Sequence, residues 1–147
     1  MDHDIRLAET EADIRACYSV IRQLRKHLQS EDEFLERVQR QRQAHDYNLA
    51  CLIDNHGKVC STAGFRVAEN LSWGKFMYVD DMVTCDEERN KGYGGFLLEF
   101  LIGEARRRRC DNLQLDSAIH RFPAHRLYMS RGLAITSLHF SLALQDP

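Results

Sequence analysis

The segment Arg89 to Gly95, Arg-Asn-Lys-Gly-Tyr-Gly-Gly, has the residue types and spacing to hold a phosphate. A β-forming stretch runs into a polar loop, and glycines then open an amphipathic helix. The first backbone N–H groups of a helix lack intrahelical acceptors, and the helix dipole adds positive potential at the same end. Glycine removes the Cβ that would keep a phosphate from the backbone. Arg89, Asn90, Lys91, Gly92, Tyr93, Gly94 and Gly95 therefore read as an anion cradle, with Arg89 and Lys91 as cations on its rim. A P-loop would need Gly-Lys followed by Ser or Thr, which this sequence lacks. A dinucleotide fingerprint would need its glycine turn after the first strand of a βαβ unit; here three strands and two helices are expected to come first.

Just upstream, Asp80-Asp81 places two adjacent carboxylates on a strand. Burying charge there is costly. Alternation puts the two on opposite faces unless a bulge intervenes, and Asp80 then shares a face with Tyr78, Met82 and Thr84. A solvated strand end or a salt bridge with Arg66 is the alternative, nearly as good for Asp81. Cys85 follows the strand, but no histidine stands beside it in sequence to activate it. The five cysteines form no C-x-x-C pair, and the seven histidines include no H-E-x-x-H, so no metal site is expected. Arg106 to Arg109 reads as cations complementing a helix C-terminus rather than as a nucleic-acid surface.

The elements that must position these residues follow from periodicity. Ile5 to Ala8 suggests a short strand. Thr10 is an N-cap for a helix over Ala12 to Leu28, with Ile14, Cys17, Tyr18, Ile21, Leu24 and Leu28 apolar. Ser30 with Glu33 forms a capping box opening a polar helix, Glu31 to Ala44, that buries Phe34, Leu35 and Val38. Tyr47 to Ile53 and Lys58 to Ala68 read as strands joined by the turn Asp54 to Gly57. Lys75 to Thr84 is a third long strand. Gly94 to Arg109 is an amphipathic helix burying Leu97, Leu98, Leu101, Ile102 and Ala105. Leu113 to Asp116 is a short strand, Pro123 to Ser130 a short helix ended at Gly132, and Ala134 to Leu144 one or two closing strands. The order β-α-α-β-β-β-α-β-α-β makes a mixed α/β domain.

The chain has 147 residues and a formal net charge of −2. That length suits a single domain over 1–147. The charge gives no general case for nucleic acid or for an acidic membrane surface. No apolar run is long enough to span a bilayer, and the acidic start Met1-Asp2-His3-Asp4 is unlike a secretory leader. Scattered thiols fit a reducing cytoplasm.

Arg89-x-x-Gly92-x-Gly94 resembles the pyrophosphate-binding motif of the GNAT superfamily of N-acetyltransferases, Gln/Arg-x-x-Gly-x-Gly/Ala. Ala124 to Leu133, Ala-His-Arg-Leu-Tyr-Met-Ser-Arg-Gly-Leu, is similar to the family's A-x-x-x-Y-x-x-x-G-F signature, with Leu133 in place of the usual Phe. The resemblance implies a central, mostly antiparallel sheet flanked by helices and splayed between its fourth and fifth strands, with acetyl-coenzyme A in the gap. It implies that Met82, Val83 and Thr84 grip the pantetheine arm, that the N–H of Val83 polarises the thioester carbonyl, and that Arg89 to Gly95 hold the pyrophosphate. It also implies that Tyr128 protonates the departing thiolate; a tyrosine packed in the core is the plainer alternative. An attacking amine must be neutral, so a group must take its proton. Asp80 and Asp81 look like the acidic pair of the family's polyamine-type members. Tyr78, Asp116, Ser117 and His120 fall where substrate contacts are common, and His120 and His125 rank below the carboxylates as bases.

The expected activity is direct acetyl transfer from acetyl-coenzyme A to a primary amine, on a small or polyamine-like molecule. A protein N-terminus or lysine is the alternative acceptor, and a non-catalytic coenzyme-A-binding module the alternative class. Neither nucleic acid nor membrane is an expected partner; a homodimer is compatible with an exposed last strand or an exposed Trp73.

Overall fold

Two side-chain caps set the helical half of the fold. The computed structural model describes residues 2–145. Its elements are β1 (His3–Leu7), α1 (Glu11–Leu24), α2 (Glu31–His45), β2 (Asn48–Asp54), β3 (Val59–Asn70), β4 (Gly74–Thr84), a 3-10 turn (Asp86–Glu88), α3 (Tyr93–Arg107), β5 (Asn112–Leu115) and α4 (Phe122–Ser130). Thr10 Oγ1 accepts from the N–H of Asp13, and Ser30 Oγ from that of Glu33. The Glu33 carboxylate reaches back to the N–H of Gln29, completing the capping box one residue earlier than the usual pattern. The chain divides into one unit up to Leu115 and a second from Asp116 on.

The first unit holds a five-stranded sheet in the order β1-β2-β3-β4-β5. All neighbours are antiparallel except β4 and β5, which are parallel. Both faces are covered. Leu49, Cys51, Val59 and Val83 pack with Ile14, Cys17, Val20 and Ile21 of α1 and Phe34, Leu35 and Val38 of α2. Ala50, Leu52, Ala63, Phe65, Met77 and Val79 are buried as well, and so are Leu97, Leu98 and Leu101 of α3.

Three expectations need correction. The first helix ends at Leu24, not Leu28: Arg25 leaves helical geometry at φ −110° and ψ 73°, and Leu28 is buried in the turn beyond. On α3, Ile102 is only half-buried and Glu104 takes the buried place beside Leu101 and Ala105. The burial of Glu104 is offset by Arg107, at 2.7 Å, and by Arg108, at 3.0 Å. Hydrogen bonds from Arg107, then Arg108, hold its carboxyl at about 2 against desolvation. A depressed folded-state pKa contributes stability above the ordinary carboxylate range that is lost as the pH falls toward 2. Glu104→Gln is therefore expected to flatten the acid limb of stability, read as the thermal midpoint between pH 5 and about pH 2.

The third correction concerns the C-terminus. Ala134 to Leu144 forms no strand: the segment is without regular structure, and Ile135, Leu138, Phe140, Leu142 and Leu144 are 79–89 % exposed. Its alternation is that of a strand, but a strand forms only against a ladder partner, and none lies beside it among the described residues.

Candidate active site

Inside the first unit, α1, α2 and β4 line a half-open cavity of about 310 Å³. Its wall includes Leu28, Phe34 and Val38, the polar Arg25, Arg37 and Gln41, the phenols Tyr47 and Tyr78, and both Asp80 and Asp81. A β-bulge explains how two consecutive strand residues reach one cavity. Gly64 pairs with Asp81 and Phe65 with Val79, so Asp80 is the extra residue. Alternation reverses there. Tyr78 and Asp80 face the helices before the bulge; Asp81, Val83 and Cys85 face them after it. The face expected from strict alternation thus holds for Tyr78 and Asp80 but not for Met82 and Thr84.

The carboxylates are fixed by partners from other elements. Arg66 donates to both oxygens of Asp80, with its Nε at 3.0 Å. Arg25 Nε donates to Asp81 Oδ1 at 2.7 Å, and Arg25 Nη2 to the main-chain oxygen of Asp80 at 2.8 Å. The Tyr47 hydroxyl donates to Asp81 Oδ2 at 2.7 Å. Burial, then Asp81, pushes the Tyr47 phenol well above its usual range, so it stays a donor. The Arg66 salt bridge weighed in sequence therefore exists, and it belongs to Asp80. Tyr47, Arg25 and Gly64 were missed. A Cβ on Gly64 would stand 1.9 Å from the Tyr47 hydroxyl, so only glycine lets that phenol cross β3 to Asp81. A glycine inside a strand pattern was the one sequence signal for such an approach.

Next to the carboxylates, β4 loses its neighbour. Phe76 to Val79 pair with Asn112 to Leu115, and residues 80–84 have, among the described residues, no strand partner on the β5 side. Met82, Val83 and Thr84 lie on this open edge, and Ser61 Oγ pins it by donating to the Val83 carbonyl at 3.0 Å. Beyond it, Asn90 (φ 67°) and Gly92 (φ 79°) take left-handed conformations, Gly92 is the N-cap of α3, and no side chain caps the helix. The amides of Tyr93, Gly94 and Gly95 are thus without intrahelical acceptors. The rim is less positive than the sequence suggested. Arg89 pairs with Asp86 at 2.8 Å, and Lys91 and Lys58 both pair with Glu88. The Arg89–Asp86 pair is exposed on both sides, and pairs of that kind are weak and exchangeable. Cys85 is buried, with its thiol against Glu87 and, among the described residues, no histidine partner.

Residues 10–133 match the acetyltransferase (GNAT) family. The chain belongs to the GNAT family. A relative, the N-acetyltransferase YhdJ of Bacillus subtilis (strain 168), is 30% identical over 124 residues, which is 84% of this chain and 86% of that protein. Solved structures share the fold. A glucosamine-6-phosphate N-acetyltransferase from Arabidopsis thaliana aligns with a TM-score of 0.79 at 20% identity, covering 99% of this chain and 100% of its own. A transcriptional regulator from Bacillus halodurans C-125 aligns at 0.84 with 18% identity, covering 97% and 99%. This GNAT chain is accordingly an acyltransferase with the expected mixed sheet.

GNAT enzymes use acetyl-coenzyme A, and the residues present suit it: uncapped amides at a glycine-opened helix, beside a strand edge with free main-chain groups. Among the described residues no cluster of three or more His, Cys, Asp or Glu is arranged for a metal, and no helix is long and apolar enough to cross a membrane. Asp116, Ser117, His120 and Tyr128 belong to the second unit. There, Tyr128 of α4 is buried, and burial raises its phenol above the ordinary range while Arg121 pulls it back. Asp116 pairs with His139 at 3.3 Å, and the His125 ring bonds the Ala118 carbonyl at 2.9 Å.

Proposed function

We propose that this chain transfers acetyl from acetyl-coenzyme A directly to the primary amine of a small molecule. The observation that carries the reading is the small cavity whose carboxylate pair opens the stretch of β4 that β5 leaves unpaired. A volume near 310 Å³ is at the low end for ligand pockets and favours a small acceptor over a protein segment. The cosubstrate supplies the activated thioester. Arg89 to Gly95 hold its diphosphate, and Met82, Val83 and Thr84 align the pantetheine. The Cys85 N–H bonds the Cys60 carbonyl of β3. Alternation therefore turns the Val83 N–H toward Thr62 and leaves the Met82 N–H, not that of Val83, on the open side for the acetyl oxygen. Asp80, Asp81 and Tyr78 orient the amine, and the carboxylates take its proton directly or through water. Tyr128, by its place in the family motif, protonates the leaving thiolate.

The family match runs through the boundary at Leu115, which supports one functional domain made of both units. All five cysteines are free, in keeping with a reducing compartment such as the cytoplasm. Acetyl-coenzyme A with a panel of amines is expected to release free thiol only when a small primary amine is present. Cosubstrate binding without amine-dependent release from any member would leave a regulatory module instead.

The exposed alternating segment from Ala134 to Leu144 and the outer edge of β5, which ends the sheet, favour a homodimer in which each supplies the other's missing neighbour. Light scattering is expected to give twice the monomer mass, and truncation after Leu133 to give the monomer.

A further inference from the structure

We infer that the acceptor amine also carries an anionic group, a carboxylate or a phosphate, held by Arg37 with Gln41 and Arg25. The inference rests on the reading of the cavity as the acceptor pocket and narrows it. A polyamine would need carboxylates left over for its additional cations. None is left over: each oxygen of Asp80 and Asp81 already accepts from Arg66, Arg25 or Tyr47. Each oxygen retains a second lone pair, which suffices for a single ammonium.

The unmet capacity of the wall is in donors. Arg37 makes no hydrogen bond through Nε or Nη1 among the described residues. Its one ion pair joins Nη2 to Glu33 at 2.9 Å, with the two side chains 42 % and 31 % exposed. Pairs of this i,i+4 kind are worth only tenths of a kcal/mol, and Glu33 keeps its second role in the capping box when Arg37 turns away. Gln41 accepts from Arg66 through Oε1, which leaves its amide N–H groups unspent. Arg25 spends Nε and Nη2 on the acid pair and keeps Nη1. Arg37 and Gln41 stand four residues apart on one face of α2, with the apolar Phe34 and Val38 beside them. The cavity thus offers acceptors for one ammonium on β4 and guanidinium and amide donors on α2, the complement of a molecule with one positive and one negative end.

The test uses the full chain, acetyl-coenzyme A and matched pairs: β-alanine against propylamine, phosphoethanolamine against ethanolamine, with spermidine as the polycation. The anionic member of at least one pair is expected to show kcat/KM about tenfold or more above its neutral mate, since a charge-assisted contact is worth about that factor. Whichever pair shows it names the carboxylate or the phosphate. Arg37→Ala should bring the ratio toward one, and Arg37→Glu should invert it; Arg37 is exposed enough for both to fold. Calorimetry with the same pairs reads the preference independently of turnover. If neutral amines or spermidine are better acceptors and ligands, or if the anion preference survives Arg37→Ala, the inference is overturned while acetyl transfer stands. If nothing is acetylated yet β-alanine or phosphoethanolamine binds in an Arg37-dependent way, the pocket assignment is supported and the acetyl-transfer reading falls.

Discussion

Tyr128→Phe lowers kcat about a hundredfold or more with any acceptor and leaves the dissociation constant for acetyl-coenzyme A close to that of the unaltered protein. General acid catalysis of this kind contributes about 10²–10⁴, and a hundredfold is about 2.7 kcal/mol of barrier. The phenol suits the task because a thiolate leaving group and a phenol have comparable proton affinities. Burial raises the Tyr128 phenol, so it remains protonated above the pH at which a free tyrosine ionises. The sign follows: activity that depends on this proton persists through the alkaline range and falls only as the pH passes the raised value. Steady-state rates from pH 6 to 11 check both parts. Full turnover in the Phe variant at every pH would return Tyr128 to a packing role.

Gly92→Glu weakens acetyl-coenzyme A binding by two orders of magnitude or more. Gly92 has φ 79°, and a side chain in the left-handed region costs about 1–2 kcal/mol. Steric space is not the obstacle, since an added Cβ would meet only the Phe96 ring at 3.6 Å. Charge is. The new carboxylate would sit at the uncapped N-terminus of α3 and compete there for the amides assigned to the diphosphate. Gly92→Ala carries the strain without the charge, so titration calorimetry on the two variants separates them: a small loss for Ala, a large one for Glu. Equal losses would mean the backbone bend, not the anion site, had been damaged.

Much of this was legible in the sequence because it rests on local rules. The capping groups of Thr10 and Ser30, the glycine-opened third helix and the turn at Gly57 each depend on residues within a few positions of one another. Arg25, Tyr47 and Gly64 were not legible, because their meaning is non-local. Arg25 ends its helix early to reach Asp81, 56 residues on, and Tyr47 crosses a neighbouring strand to the same carboxylate. The closing segment misled for the opposite reason: its alternation from Leu138 to Leu144 is real, but a pattern of side chains does not supply hydrogen-bonding neighbours. Glu104 escaped the stripe of α3 because a periodicity argument counts apolar residues only, and cannot see two arginines one turn further along.

The extra residue in β4 also sets what can vary independently. Side chains before it that look toward the acceptor can change without altering which main-chain groups beyond it remain open at the edge. Losing Asp80 would leave Val79 opposite Phe65 and Asp81 opposite Gly64 with plain alternation through to Cys85, so the strand would keep its faces and register while the cavity gave up one of its two carboxylates.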